Sequence, residues 1–228
     1  MIIPTYNRFE IVQKAIESVK KQTYKNIEII VINDCSTEKE YYEHNWDIKI
    51  IHLPENSRTK FPYPCAAYVR HQGVKIAKGE YIAFLDDDDY WMPHKVEKQV
   101  KIMKDYDICC TDAWCGRGSY CKGIDKKMMQ QEYHFKYLWE KYMKNGVDLS
   151  NGFPEVWSKE FIDIHNCVIT SSVMMKKSLI DKIGFMPYLR NGKEDYTYWK
   201  KVSNEVKFYF VSEPCLYYDM GHGKGRNY

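Results

Sequence analysis

The chain is predicted to be an α/β fold, a mostly parallel sheet flanked by helices, and three observations predict it. Strand-like and helix-like segments alternate through about the first 110 residues, the pattern of a parallel sheet with helices on both faces. A short apolar run over residues 81–85 ends abruptly in Asp86, Asp87, Asp88 and Asp89, and open α/β sheets place their ligands at the C-terminal ends of strands. Residues 113–160 break the rhythm. They are rich in Tyr, Trp, Lys and Met, with Gly116, Gly118, Gly123 and Gly146 scattered among them, and read as an irregular insertion.

The elements follow in order. Residues 1–4 read as the tail of a strand, so short that the natural start is expected a few residues upstream. Thr5-Tyr6-Asn7-Arg8 is a turn, with Asn7 expected to cap a helix that carries Ile11, Val12, Ala15, Ile16 and Val19 on one face. Residues 27–32 form an apolar strand broken only by Glu28, ending in the polar run Asn33-Asp34-Cys35-Ser36-Thr37. Residues 48–53 are a third strand. Residues 64–78 are a helix closed by Gly79. After the central strand, Pro93 suits the first turn of a helix over 93–104 with Val96, Val100 and Met103 inward. Residues 107–111 are a strand, and a helix is predicted near 133–144. Residues 167–176 form a strand, 177–183 a helix ended by Gly184, 194–204 a helix, and 206–211 and 215–218 the last strands.

Composition bounds the function. A chain of 228 residues suffices for one α/β domain, and 44% hydrophobic residues can build a sizeable core. A net charge of +3 is too small to imply a nucleic-acid partner. No segment approaches the roughly 18 apolar residues of a transmembrane helix, and no signal peptide is visible. The eight cysteines show no Cys-x-x-Cys pair and no zinc-type spacing, and several sit in apolar runs. They read as reduced, buried thiols of a cytoplasmic protein.

The four acids carry the chemistry. Adjacent carboxylates repel, and each ionises less readily beside the others. At a strand end alternate side chains face the same side, so Asp86 and Asp88 are expected to face one site while Asp87 and Asp89 point elsewhere, Asp89 towards capping the next helix. Two converging carboxylates suit a hard divalent cation, Mn²⁺ or Mg²⁺.

Four motifs stand in a fixed order: Ile2-Ile3-Pro4-Thr5-Tyr6-Asn7-Arg8; Asn33-Asp34-Cys35-Ser36; Arg70-His71-Gln72-Gly73 followed by the block from Ala77 to Asp89; and Glu194-Asp195 opening a helix. Together they resemble the family 2 glycosyltransferases of GT-A fold, a Rossmann-like architecture. The resemblance covers most of the chain and is weakest over 113–160. It implies one glycosyltransferase domain over 1–228, with a nucleotide-sugar-binding half (1–112) and an acceptor-binding half (113–228). It also implies a nucleotide-sugar donor, a UDP-sugar by expectation, a divalent metal, and inversion at the anomeric carbon. By the same resemblance Asp88, helped by Asp86 and by His222, is the metal position. Pro4, Thr5, Tyr6, Arg8, Asp34, Arg70, Asp86 and Asp87 fall on the nucleotide-sugar side, with Asp34 on the uridine or ribose and Tyr6 stacked on the base. Asp195 is the candidate general base, with Glu194 second. Acceptor choice is assigned to 113–160, with Trp114, Tyr120 and Trp139 as candidate contacts. The acceptor is expected to be a glycan or a lipid-linked glycan, which allows peripheral contact with the inner membrane face. No Gln-x-x-Arg-Trp motif of processive relatives is present, so one sugar is expected to move per reaction. Two other readings stand beside this one. A non-catalytic nucleotide-sugar-binding domain is opposed by the intact Asp86, Asp88 and Asp195. A sugar-nucleotide nucleotidyltransferase wants a Gly-rich loop after the first strand, and Pro4-Thr5-Tyr6-Asn7-Arg8 has no glycine.

Overall fold

The computed structural model describes residues 1–189 and 193–221. Its first three strands, β1 (Ile2–Thr5), β2 (Ile30–Asn33) and β3 (Lys49–His52), are parallel, with Ile2 opposite Ile30 and Ile30 opposite Lys49. Every residue of β1 and β2 is buried, as continuous apolar strands covered on both faces must be. Between and after them lie α1 (Phe9–Lys20), α2 (Glu40–Glu43), α3 (Ser57–Lys60) and α4 (Ala66–Ile76). The expected stripe of α1 is buried through Val12, Ala15, Ile16 and Val19.

Asn7 does not cap α1, contrary to expectation. It adopts a left-handed backbone (φ 49°), and its Oδ1 accepts from the Thr37 N–H at 2.7 Å, tying the loop after β1 to the loop after β2. Asparagine tolerates that conformation where most residues do not.

The central run begins as β4 (Tyr81–Ala83) and continues beside β1 through a parallel bridge between Ile2 and Phe84. The Leu85 N–H donates to the Ile2 carbonyl at 3.1 Å, so the acids begin where strand pairing stops. Next come β5 (Tyr90–Trp91), α5 (Lys95–Ile102) and β6 (Ile108–Gly116). The insertion contributes β7 (Lys127–Met128), a π-helical turn (Met129–Tyr133) and α6 (Phe135–Lys144). It is followed by β8 (Val156–Trp157), α7 (Lys159–Ile164), a 3₁₀ turn (Thr170–Ser172), β9 (Met174–Lys176), α8 (Lys177–Ile183), α9 (Glu194–Ser203) and β10 (Phe208–Asp219).

The second half orders its strands β4-β9-β6-β10-β5. β10 is parallel to β6, whereas β9 is antiparallel to both β4 and β6. Parallel pairing therefore governs the first half, and the second half adds antiparallel partners. The two predicted last strands are one, β10, whose register shifts around Pro214, where a missing N–H is tolerated. The predicted strand at 167–176 is a strand only in β9. Hydroxyls upstream make local bonds instead, as where the Ser172 Oγ donates to the Ile169 carbonyl at 2.7 Å.

Alternation along β1 splits the core. Ile2 packs with Ile30, Phe84, Val74 and Trp199 on one face, and Ile3 with Val12, Ile16, Leu85 and Trp91 on the other. Lys95 is fully buried under the second face, its ammonium 4.0 Å from the Trp91 ring centre and bonded to Gln99 at 2.6 Å. Burial pulls its pKa down to about 7. All eight cysteines are free, and six are buried. Among the described residues, no helix is long and apolar enough to cross a membrane.

Gly73 sets how closely α4 lies on β1. A Cβ there would stand 2.6 Å from Ile2 Cγ2, inside the core. Gly73→Val should therefore lower stability by about 2–3 kcal/mol despite leaving every polar contact intact, read as a lower urea midpoint at unchanged slope. An unchanged midpoint would show that this close approach does not constrain the fold.

Candidate active site

The ends of β1, β2 and β4 lie side by side, and each carries polar groups at its C-terminal edge. Residues 86–89 are not a strand continuation. The Asp89 N–H donates to the Asp86 carbonyl at 3.1 Å and closes a turn, so the alternation expected of these acids does not apply. Instead Asp87 and Asp88 converge on one guanidinium. Arg8 donates to Asp87 Oδ1 at 2.9 Å and to Asp88 Oδ2 at 3.1 Å, with all three side chains at most 9% exposed. Asp86 pairs separately with Arg70 of α4. Asp89 does not cap α5. It is buried, and its Oδ1 accepts from the Asp219 N–H at 3.1 Å, while His94 precedes the helix without a side-chain bond.

Four acids beside two guanidiniums leave the cluster short of positive charge. Burial, and then Asp87 and Asp86, push the Asp88 carboxyl up to about 7, against Arg8. Burial likewise raises Asp87 and Asp89. Among the described residues no three His, Cys, Asp or Glu side chains converge as a metal cage. A hard cation of the Mg²⁺ type does not need such a cage, since it takes one or two carboxylates and completes its shell with substrate phosphates and water. Asp86 and Asp88, the residues expected to hold it, are each paired with an arginine, Arg70 and Arg8 respectively. His222 lies outside the described residues, as do Lys224 and Arg226.

The nucleotide-side residues are placed unevenly. Pro4 and Thr5 are buried in β1, and the Thr5 hydroxyl is 2.6 Å from the Tyr41 hydroxyl, so Thr5 braces the edge from behind. Tyr6 is half-buried in the loop that follows. Asp34 is 1% exposed, and α3 holds it: the Ser57 N–H donates to Oδ1 at 2.8 Å and the Ser57 Oγ to Oδ2 at 2.7 Å. Burial raises its pKa, opposed by these bonds. Arg8 and Arg70 are engaged by carboxylates, so the two predicted nucleotide contacts also act as counter-ions within the protein.

Asp195 lies in the first turn of α9. Its Oδ1 accepts from the Tyr196 N–H, and its Oδ2 from Asn166 Nδ2 at 3.3 Å. Burial foremost, and secondarily the charge of Glu194, push its pKa up to about 6. Glu194 Oε2 is buried without a hydrogen-bond partner among the described residues. A cavity of about 430 Å³ opens beside Asp195, and Asp86 lines it too. The remaining wall comes largely from the insertion and from the stretch before the 3₁₀ turn, including Gln130, His134, Tyr137, His165 and Asn166, with Tyr218 added from β10. Trp114, Tyr120 and Trp139 are not on that wall. Lys126 lies over the Trp114 ring, Tyr120 stacks on Tyr90, and Trp139 is exposed. The fold instead sets His134 and Tyr137 along the cavity, Tyr137 remaining 53% exposed. Neither these nor Asn166 carried a local signal that could have marked them.

Comparison with known proteins places this geometry. The sequence model described as glycosyl transferase family 2 matches residues 1–181. A UDP-Glc:alpha-D-GlcNAc-diphosphoundecaprenol beta-1,3-glucosyltransferase of Escherichia coli is 32% identical over 207 residues, covering 89% of this chain and 68% of that protein. An uncharacterized glycosyltransferase of Rickettsia typhi is 31% identical over 220 residues, and the chain spans 62% of its length. S. aureus TarS 1-349 in complex with UDP-GlcNAc superposes with a TM-score of 0.66 at 20% identity, covering 98% of this chain and 59% of that one. A mannosyltransferase from Pyrobaculum calidifontis, in complex with GDP-Man and Mn²⁺, gives 0.63 at 16% identity, covering 100% and 57%. At these identities the structural likeness shows the fold, an α/β sheet flanked by helices as in GT-A enzymes.

Breaking a buried ion pair by removing one partner strands the other charge, at about 3–5 kcal/mol. Arg8→Met should lower stability by about that amount at pH 7 in EDTA, measured by urea unfolding. The deficit should shrink as the pH falls, because protonated Asp87 and Asp88 no longer need a counter-ion. A deficit that stays constant to pH 5 would contradict this charge assignment.

Proposed function

The chain belongs to glycosyl transferase family 2, and from that premise we propose that it moves one sugar from a UDP-sugar to a hydroxyl of a glycan or lipid-linked acceptor, with a divalent metal and with inversion. The observation that carries the reading is the shared cavity. Asp86, from the acid turn after β4, and Asp195, from the start of α9, line one space. A donor held at the acid turn and an acceptor beside Asp195 would meet there.

The chemistry follows from the residues. The acceptor oxygen attacks the anomeric carbon on the face opposite the diphosphate, the bond from that carbon to the phosphate oxygen breaks, and a single displacement inverts the centre. Asp195 takes the acceptor proton on its carboxylate. A carboxyl pKa near 6 suits a base working at neutral pH, because it is largely ionised there yet more basic than an ordinary aspartate. Asp86 and Asp88 would hold the divalent cation, which when bound supplies charge neutralisation at the departing diphosphate. Arg8 keeps Asp87 and Asp88 fixed, and Arg70 does the same for Asp86. Asp34, braced by Ser57, would edge the nucleoside side, with Tyr6 on the adjoining wall and Pro4 and Thr5 buried behind it. Glu194 offers a carboxylate oxygen for a sugar hydroxyl, since its Oε2 has no partner among the described residues. His222 remains a proposed further ligand. The UDP-glucose donor and the diphosphoundecaprenol-linked acceptor in the name of the E. coli relative support those choices, as does the Mn²⁺ bound in the mannosyltransferase complex. A lipid-linked acceptor would bring the protein to a membrane surface.

Two measurements test the reading. Titration calorimetry should show UDP binding that strengthens with Mn²⁺, and Asp88→Ala should weaken the Mn²⁺-dependent affinity by more than about tenfold. Equal affinity in both proteins would remove the metal assignment.

Asp195→Asn keeps the size of the side chain but cannot accept a proton. It should bind UDP as wild type does and transfer sugar at least about 10²-fold more slowly. In the wild type, kcat should fall on the acid side with a midpoint near pH 6, because the base is raised to that value and is protonated below it. Proton NMR of the product should show a β-linkage from an α-linked donor. Retention, or near-normal turnover by Asp195→Asn, would overturn the mechanism. UDP binding with no transfer to any acceptor would favour a non-catalytic binding domain.

A further inference from the structure

Asn166 follows α7 and is neither an acid nor part of any motif, yet its Nδ2 donates to Asp195 Oδ2 at 3.3 Å. Facing a carboxylate, an asparagine must present its NH₂ end, which fixes the amide orientation. The opposite end, Oδ1, is then left buried and has no hydrogen-bond partner among the described residues. An asparagine that only fastened a loop would have both ends bonded to the fold, because a buried unpaired oxygen is costly. Asn166 also lines the 430 Å³ cavity beside Asp195.

The frame around the pair is held on both sides. The Tyr196 hydroxyl lies 2.9 Å from the Ile162 and Asp163 carbonyls, tying α9 to α7. One residue after Asn166, the Cys167 carbonyl accepts from Gln130 Nε2 at 2.9 Å. One residue before it, His165 Nδ1 is 3.3 Å from Lys141 Nζ. The side chain thus projects from a backbone braced by the insertion, towards a helix tied to α7. A bond of 3.3 Å is long for a charged acceptor, and such contacts tighten when a substrate closes the site.

We propose that Asn166 is a positioning residue for Asp195: its amide holds Oδ2 so that the carboxylate keeps one rotamer, with a lone pair turned to the cavity where the acceptor hydroxyl arrives. This rests on Asp195 being the base. The bond favours the ionised carboxylate, so it also opposes the effect of burial on Asp195. The other charged or titratable groups around Asp195 are Glu194 on α9, Arg70 on α4, Asp86 after β4, Tyr218 on β10, and His134, Tyr137, His165 and Cys167 on the cavity wall.

The test needs no substrate in its first arm. The Asn166 side-chain amide is followed by ¹H–¹⁵N NMR from pH 5 to 8, assigned by its loss in Asn166→Ser. The amide should titrate with a midpoint near 6, together with the Asp195 ¹³Cγ resonance, and should cease to titrate in Asp195→Asn. A flat amide resonance overturns the proposal. So does a titration that survives in Asp195→Asn, since it would then report His134 or His165. In the second arm Asn166→Ser should raise the Asp195 midpoint by about one pH unit. Turnover should then fall about fivefold at pH 6 and less at pH 8, at unchanged UDP affinity. An unmoved midpoint overturns the proposal. If the chain proves to bind without transferring sugar, the first arm still decides the coupling of Asn166 to Asp195, and the failure of the enzymatic reading is seen separately.

Discussion

Buried negative charge is the constraint on which the site depends. Four consecutive aspartates at the edge of an apolar sheet cannot all ionise in a low-dielectric setting without counter-charge. Arg8 supplies it for Asp87 and Asp88, and Arg70 for Asp86. Both arginines come from elsewhere in the chain, one from the loop after β1 and one from α4. The acid turn therefore holds its shape only when the first strand, the fourth strand and a helix that packs on the first two strands have come together. Asp89 is held by a third distant segment, the end of β10. On the proposed function, a bound cation would offset the residual shortage of positive charge.

The same edge is laced laterally. Asn7 in its left-handed conformation accepts from Thr37, and its N–H donates to Ser36 Oγ at 2.8 Å. The Thr5 hydroxyl meets Tyr41, and Asp34 is gripped by Ser57. Loops at strand ends are usually the mobile part of an α/β protein, but here their polar side chains bond to one another. A rigid edge is what a site for a charged, multi-hydroxyl ligand needs, because each group must already be in place when the ligand arrives.

The second half answers with a different construction. Its antiparallel strands extend the sheet, and the π-helical turn, α6 and the stretch from His165 to Thr170 stand up beside the edge. This wall brings a carboxylate raised to about 6 to the same space as Asp86. On the proposed function, donor chemistry would sit on the parallel half and proton transfer on the other, at a cavity that Asp86 and Asp195 both line.

Periodicity and strand-end polarity were legible in the sequence because they are local. The alternation of elements over the first 110 residues, the apolar run before the acids, the amphipathic stripe of α1, and helices α6, α8 and α9 follow from side-chain spacing alone. The acids at 34 and 86–89 could likewise be marked, since carboxylates ending apolar segments are unusual wherever they occur, whereas Glu194 and Asp195, opening a helix, were marked by the family resemblance. What tertiary structure decided were the partners. Strand alternation pointed to Asp86 and Asp88 acting together, but the chain turns at Asp86, and Arg8 gathers Asp87 with Asp88. Asn7 and Asp89 looked like helix caps because cap propensity is local, and each was drawn instead to a backbone N–H distant in sequence. Asn166 carried no signal, because a neutral amide becomes functional only through the carboxylate that folding sets beside it. The sequence determined which segments would be strands and helices and where charge would collect. Only the fold decided which charge meets which, since contacts between residues tens of positions apart depend on the packing of the whole sheet.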